Sequence, residues 1–316
     1  MAHAGRRVRT ERKYRRRRRN AVAAALVVLL AIAATAIALS VGGGAAPRAA
    51  TGIFKAATSG AAKAPGHIVV RLIHNGPHGT ESVPILMYHV ILAPPPGAPY
   101  PGLYVTPALF AQQMHALAAA GYHAVTMNQM WDNWHHGTPL PPGKPIVISF
   151  DNGYESQYRF ALPVLRAMGW VGVENLQLSG LPVSQGGLSE RQVRGLVAAG
   201  WELDTQGYNH AALITLDASE LHFQVAVARQ RIRSLYGVHA EWFCYPSGQY
   251  DAAVVAAVKA AGFRGSTTVV PGWASPSEDP FHLPRLRVLG GTSPGSLVAE
   301  IAAIRGNAAP GSSYTL

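Results

Sequence analysis

The feature that most constrains the fold is a short apolar run that ends in a carboxylate and a turn. Residues 145–150 read Pro-Ile-Val-Ile-Ser-Phe, and Asp151, Asn152 and Gly153 follow directly. An unbroken run of β-branched and apolar residues suits a strand that is buried on both faces. Asp, Asn and Gly favour a turn. Because α/β folds place their chemistry at such strand ends, Asp151 is a candidate functional carboxylate, although an ordinary Asx-turn would give the same pattern.

The positive charge of the chain is concentrated at one end. The 316 residues have a formal net charge of +11, and residues 1–20 hold ten Lys or Arg residues against one acidic residue, a net +9 that leaves +2 for the rest. A near-neutral body argues against a nucleic-acid-binding surface, so no nucleic-acid partner is predicted. The single Cys excludes an intrachain disulfide.

An apolar stretch follows the basic segment 1–20. Residues 21–41 are continuously apolar except for one Thr and one Ser. As a helix, these roughly 21 residues would span about 31 Å, close to the hydrocarbon core of a bilayer at about 30 Å. The positive-inside rule then leaves the basic segment in the cytoplasm and the main domain outside. We therefore predict a single-pass anchor from Ala21 to Val41, whereas cleavage near the small residues 42–46 would instead give a secreted protein.

The remainder divides into a linker and a folded domain. Residues 42–79 are rich in Gly, Ala, Pro and Thr without sustained periodicity, which is typical of a flexible linker. Residues 80–316 alternate predicted strands and helices, which indicates an α/β barrel-like architecture. Helix starts are marked by Thr106-Pro107 and by the capping-box pair Ser189 and Gln192.

Several motifs along this domain resemble the polysaccharide deacetylase family of the NodB-homology, carbohydrate esterase 4 type. The resemblance covers roughly residues 80 to 290 and implies a distorted (β/α)7 barrel. The motifs are Met-Tyr-His at 87–89, Phe-Asp-Asn-Gly-Tyr at 150–154, Gln-Gly-Tyr-Asn-His at 206–210, Tyr-Pro-Ser-Gly-Gln-Tyr-Asp at 245–251 and Leu-Pro-Arg-Leu-Arg-Val at 283–288.

The resemblance also implies roles for individual residues. In the family, the first Asp of the strand-end motif is the catalytic base, and a second Asp with two His residues holds a divalent metal such as zinc. Asp151 matches the base and His210 matches one ligand, whereas Asn152 and Gln206 stand where a ligand Asp and a ligand His are usual. The resemblance further assigns to the substrate groove His89, Tyr245, Pro246, Gly248 and Arg285. Arg285 could anchor Asp151, bind a substrate oxygen or form a plain surface ion pair.

These substitutions bear on the cofactor and on activity. Amide oxygens are neutral ligands, better suited to hard cations than to zinc. Because loss of a supporting residue alone lowers metal affinity 10- to 100-fold, two ligand losses predict a reduction of roughly 10⁴-fold. We predict a membrane-anchored, deacetylase-like hydrolase that removes N-acetyl groups from a cell-surface polysaccharide or peptidoglycan. The alternative is a catalytically impaired pseudo-deacetylase that binds glycan or a protein partner.

Overall fold

The computed structural model of the chain describes residues 79–181, 185–307 and 310–315. The predicted cytoplasmic segment and anchor, and the linker up to residue 78, lie outside these ranges. Within them, no helix combines the length and the apolar character that a bilayer crossing requires.

Short strands alternate with helices along the described chain, as the sequence predicts. The strands are β1 (Val83–Tyr88), β2 (Tyr122–Ala124), β3 (Lys144–Asn152), β4 (Val173–Leu176), β5 (Glu202–Thr205), β6 (Trp242–Cys244), β7 (Gly265–Thr267), β8 (Trp273–Ala274) and β9 (Leu286–Arg287). The α-helices are α1 (Pro107–Ala119), α2 (Met127–His136), α3 (Leu162–Ala167), α4 (Glu190–Ala198), α5 (Ala218–His222), α6 (Ala228–Tyr236), α7 (Ala252–Ala260) and α8 (Pro294–Ala303). Wider π-helical turns precede α3 at Gln157–Ala161 and α6 at Phe223–Val227.

The predicted helix starts are confirmed. The Thr106 side chain accepts a hydrogen bond from Leu109 N and caps α1, and Ser189 and Gln192 form a capping box that opens α4. Strand β2 is short and ends at Ala124. The reason is a second capping box, in which Thr126 and Gln129 start α2 immediately after the strand.

The strands form one curled sheet, ordered β7-β6-β5-β4-β3-β1-β8, with β2 paired to β3 and β9 paired to β1. Their pairings are parallel except for β1 with β8. The segment before β9 also reaches β7, because Leu283 N donates to Ser266 O at 3.0 Å and Leu283 O accepts from Thr268 N at 2.8 Å. The chain at 283–287 therefore links two distant strands of the sheet, which has a curled, half-barrel α/β arrangement.

The side chains of β3 show how the core is layered. Ile146, Ile148 and Phe150 belong to a buried cluster that includes residues of α1, α3, α4 and α8. Val147 points the other way, into an inner cluster that the sheet encloses. Because strand side chains alternate, Asp151 lies on the Val147 face, at the carboxyl end of the strand. The apolar packing below it thus fixes where this carboxylate emerges.

Candidate active site

The turn after β3 sets the position of Asp151. Asn152 and Gly153 both have left-handed backbone, with φ of 76° and 89°. A Cβ on Gly153 would lie 2.7 Å from Leu176 Cδ1, so a larger residue would displace that side chain and would also be strained by the left-handed backbone. The Asp-Asn-Gly sequence therefore ends the strand sharply and leaves Asp151 inside the curled sheet, where only 1% of it is exposed.

Arg285 holds both oxygens of Asp151. Its Nη1 donates to Oδ1 at 2.8 Å and its Nη2 donates to Oδ2 at 2.9 Å, and both side chains are buried. The guanidinium is itself fixed, because Nε donates to Thr268 O at 2.9 Å and Nη1 to Ser149 Oγ at 3.2 Å. The sequence left three roles open for Arg285, and the structure shows the first of them, in which Arg285 anchors Asp151.

Two further contacts to Asp151 come from residues that the sequence motifs do not single out. Asn175 Nδ2 donates to Oδ1 at 2.9 Å, and the Cys244 thiol lies 3.6 Å from Oδ2. Asn175 reaches the carboxylate because β3 and β4 pair in register, with Asp151 opposite Asn175. Only a prediction of this register could have identified Asn175. For Cys244, burial raises the pKa to about 12, so the thiol is neutral and acts as a small buried group.

The ion pair decides the charge state of this cluster. Burial by itself would raise the pKa of Asp151, but the Arg285 guanidinium outweighs it and brings the value down to about 2. Burial lowers the pKa of Arg285, and the Asp151 carboxylate raises it by more. The two groups are therefore both charged at neutral pH and together form a neutral pair inside the sheet.

Two histidines lie within electrostatic range of this pair. Burial lowers the pKa of His89 to about 4, although the Asp151 carboxylate opposes the shift. Burial also lowers the pKa of His210, again against Asp151. The Nδ1 atom of His89 is buried and has no hydrogen-bond partner among the described residues. Near neutral pH both imidazoles are thus uncharged and available for hydrogen bonds or for a metal.

The 206–210 motif forms a tight loop after β5. Its backbone is tied down by Gln224, whose Oε1 accepts from Tyr208 N and Asn209 N, each at 3.1 Å. His210 has left-handed backbone, with φ of 56°. Gln206 is buried, and its Oε1 lacks a hydrogen-bond partner within the described chain. Gln206 therefore lies at the start of this loop with an unsatisfied side-chain carbonyl oxygen.

These residues do not fit the metal site of the family. Asn152, Gln206 and His210 offer two neutral amides and one imidazole, and the nearby carboxylate of Asp151 is paired with Arg285. In the ranges that the structure describes, no group of three or more His, Cys, Asp or Glu side chains is arranged to hold a metal ion. Zinc sites are built from thiolates, imidazoles and carboxylates, so this set lacks the anionic ligand that would favour binding.

The other residues assigned to the groove lie in different surroundings. Tyr245 is fully buried, stacks on Tyr250 with ring centroids 4.7 Å apart, and donates from its hydroxyl to Phe281 O at 3.0 Å. Pro246 and Gly248 are also buried, while Ser247 between them is exposed with a left-handed φ of 55°. The Tyr245 ring packs in the buried cluster that also includes Phe243 and Tyr250.

Comparison with known proteins agrees with this fold. The family model for polysaccharide deacetylases matches residues 139–266, which include β3, the 206–210 loop and β6. Over these residues the chain is similar to the polysaccharide deacetylase family. A relative from Bacillus subtilis (strain 168), YxkH, is classed by its name with the polysaccharide deacetylases. It is 25% identical over 224 residues, which cover 71% of this chain and 77% of YxkH.

Two other proteins show how far the likeness extends. The poly-beta-1,6-N-acetyl-D-glucosamine N-deacetylase of Escherichia coli (strain K12) is 37% identical over 62 residues, which are 20% of this chain and 9% of that enzyme. The solved structure of the Streptococcus pyogenes deacetylase PplD superimposes with a TM-score of 0.65 and 23% identity, and the match covers 71% of this chain and 99% of PplD. The structural match shows the fold. Together with the family model, the sequence relatives support a deacetylase-like hydrolase.

Proposed function

We propose that this protein removes N-acetyl groups from a cell-surface polysaccharide. The observation that carries the proposal is the ionised Asp151, which Arg285 holds by both oxygens at the carboxyl end of β3 in a polysaccharide deacetylase fold. In the reaction, the oxygen of a water forms a bond to the acetyl carbon and the carbon–nitrogen bond breaks. The products are acetate and a free amine, and the proton lost by the water is balanced by a proton added to the leaving nitrogen.

Asp151 is the group proposed to take the proton from the water. Because its pKa is about 2, it is ionised throughout the neutral range, but it is a weak base there. The neutral imidazoles of His89 and His210 are proposed to hydrogen-bond the acetyl group and the sugar. With a weak base and without the family's ligand set, we expect slow turnover.

The test is acetate release from N-acetylglucosamine oligomers by the full-length protein. The matched variant is Asp151→Asn, which keeps the size of the side chain and removes its charge. We expect measurable release by the parent and none above background by the variant, with circular dichroism to verify that the variant is folded. Equal release by both proteins would remove Asp151 from the mechanism.

The alternative of a pseudo-deacetylase predicts a different pair of results. Glycan would bind to the parent protein, but no acetate would appear even after long incubation with several divalent metals. The comparisons do not favour this alternative, and the same assay decides it.

Membrane anchoring and an extracytoplasmic location are part of the same proposal. They are supported by the basic segment 1–20 followed by the apolar stretch 21–41. Protease added to intact cells should degrade the main domain, and membranes washed in high salt should retain it. Recovery of the whole domain in the medium would instead favour signal cleavage.

A further inference from the structure

Arg287 is a cation without a partner in the part of the chain that the structure describes. It lies in β9, two residues beyond Arg285, and its side chain is exposed. Arg285 makes several hydrogen bonds and a buried ion pair, whereas Arg287 has no ion pair or hydrogen bond with any residue that the structure describes.

The alternation of the strand places Arg287 on the site face. Leu286 and Val288 belong to the buried cluster beneath the helices, so Arg285 and Arg287 share the opposite face, where Arg285 meets Asp151. Two residues along a strand correspond to about 6–7 Å, so Arg287 lies one step nearer the open carboxyl end. The β1–β9 register agrees, because Arg287 pairs with Met87, two residues before His89.

The electrostatic surroundings of His89 agree with this position. The positive charge of Arg287 is one of the influences that lower the pKa of His89, after burial and alongside Arg285. Because Arg285 is neutralised by Asp151, the unpaired charge beside His89 is that of Arg287.

Few acidic residues lie outside the described ranges, so few remain that could pair with Arg287. Of the chain's 16 Asp and Glu residues, only Glu11 lies outside the described ranges, and none of the others reaches Arg287. An exposed guanidinium at the mouth of a site, with its donors free, is suited to bind a carboxylate or a phosphate through two parallel hydrogen bonds.

We infer that Arg287 binds an anionic group on the glycan, so that the substrate is an N-acetylated polysaccharide bearing carboxylate or phosphate groups near the acetylated sugar. This inference deepens the proposed function and rests on it for the identity of the ligand as a glycan. Arg287 is then a specificity-determining residue, and the chemistry of deacetylation is assigned to other groups.

The experiment compares three tetrasaccharides by calorimetric titration and by acetate release. The neutral probe is fully N-acetylated chitotetraose, called chitotetraose below. The carboxylate probe is a hyaluronan tetrasaccharide, and the phosphate probe is chitotetraose bearing one 6-phosphate. At low salt we expect the full-length protein to bind at least one charged probe about tenfold more tightly than chitotetraose. The preference should shrink at about 150 mM salt, because exposed charges are screened.

Variants separate a specific contact from net charge. Arg287→Gln should abolish the preference for the charged probes, and Arg287→Lys should keep part of it, since a lysine supplies charge without the two-pronged geometry. Arg231→Gln, on the exposed surface of α6, removes the same charge and should have no effect.

The possible results are distinct. Tighter binding of either charged probe that disappears in Arg287→Gln supports the inference, and the better of the two probes identifies carboxylate or phosphate. Equal affinity for all three probes, no binding of any probe, or a preference that survives Arg287→Gln overturns it. Binding with the expected preference but without acetate release leaves the inference standing and refutes the proposed deacetylation.

Discussion

Removal of Arg285 should destabilise the protein strongly, because it leaves a charge inside the sheet. In Arg285→Met, the Asp151 carboxylate loses its hydrogen bonds at 2.8 and 2.9 Å and retains Asn175 and the weak contact with the Cys244 thiol. Breaking one side of a buried ion pair costs about 3–5 kcal/mol. We expect a loss of this size in the free energy of unfolding at pH 7, measured by urea denaturation of the full-length chain with tryptophan fluorescence.

The pH dependence of the free energy of unfolding should show that the loss in Arg285→Met comes from the unpaired Asp151 carboxylate. In the parent, the folded-state pKa of Asp151 is about 2, below the ordinary value of 3.8. The stability from this group is therefore present above pH 3.8 and is lost as the pH falls towards 2. That difference of nearly two pKa units corresponds to roughly 2–3 kcal/mol. Without the guanidinium, burial should raise the pKa above 3.8, so stability in the variant should instead fall as the pH rises above that value.

A double-mutant cycle completes the test. Asp151→Leu alone should also cost about 3–5 kcal/mol, because it leaves a buried guanidinium, whereas Asp151→Leu with Arg285→Met should cost much less than the sum of the two. The control is Lys259→Met, which removes an exposed pair with Asp279 at 3.7 Å and should cost under about 1 kcal/mol. Additive effects at residues 151 and 285 would refute the assignment of a coupled buried pair.

Three further results are expected. Gly153→Ala should lower stability and acetate release, because the new Cβ would lie 2.7 Å from a β4 side chain. The control is Gly169→Ala, which has a similar left-handed φ but open space around it, and it should lower stability less and leave acetate release unchanged. Equal effects of the two substitutions would contradict this explanation. Burial raises the pKa of Asp204 well above its ordinary value of 3.8, so the parent should lose stability as the pH rises above that value. Asp204→Asn should flatten that loss in urea titrations, and an unchanged slope would assign the loss to another group. Combining Asn152→Asp with Gln206→His should increase bound zinc at least 10-fold by elemental analysis, and no increase would show that the loop cannot form the family's site.

Much of the fold could be predicted from local sequence signals. The Asp-Asn-Gly turn after an apolar run located the end of β3, and Thr106 and Ser189 marked helix starts, because turns and caps depend on neighbouring residues. The wider helical turns that begin at Gln157 and Phe223 could not be predicted, since the periodicity there is that of an ordinary helix.

The surroundings of Asp151 were less predictable, because they depend on pairing between distant segments. Asn175 contacts Asp151 because of the β3–β4 register, and Arg285 belongs to a segment 134 residues further along the chain. The motif around Tyr245 resembles that of the family, but motif spacing does not report which way a ring points. Its burial depends on packing against Tyr250.

The net charge around Asp151 is related to the replacement of the family's metal ligands by Asn152 and Gln206. A divalent cation would add two positive charges beside His89 and His210, and a carboxylate at position 152 would normally offset part of that charge. Here Asn152 supplies no negative charge, and Arg285 already neutralises Asp151. The unpaired positive charge on this face is therefore that of Arg287, so a glycan that brings its own anion gains an attraction that a neutral glycan lacks. If titrations show that neutral and charged glycans bind equally, this electrostatic description of the site is wrong, whatever its catalytic rate.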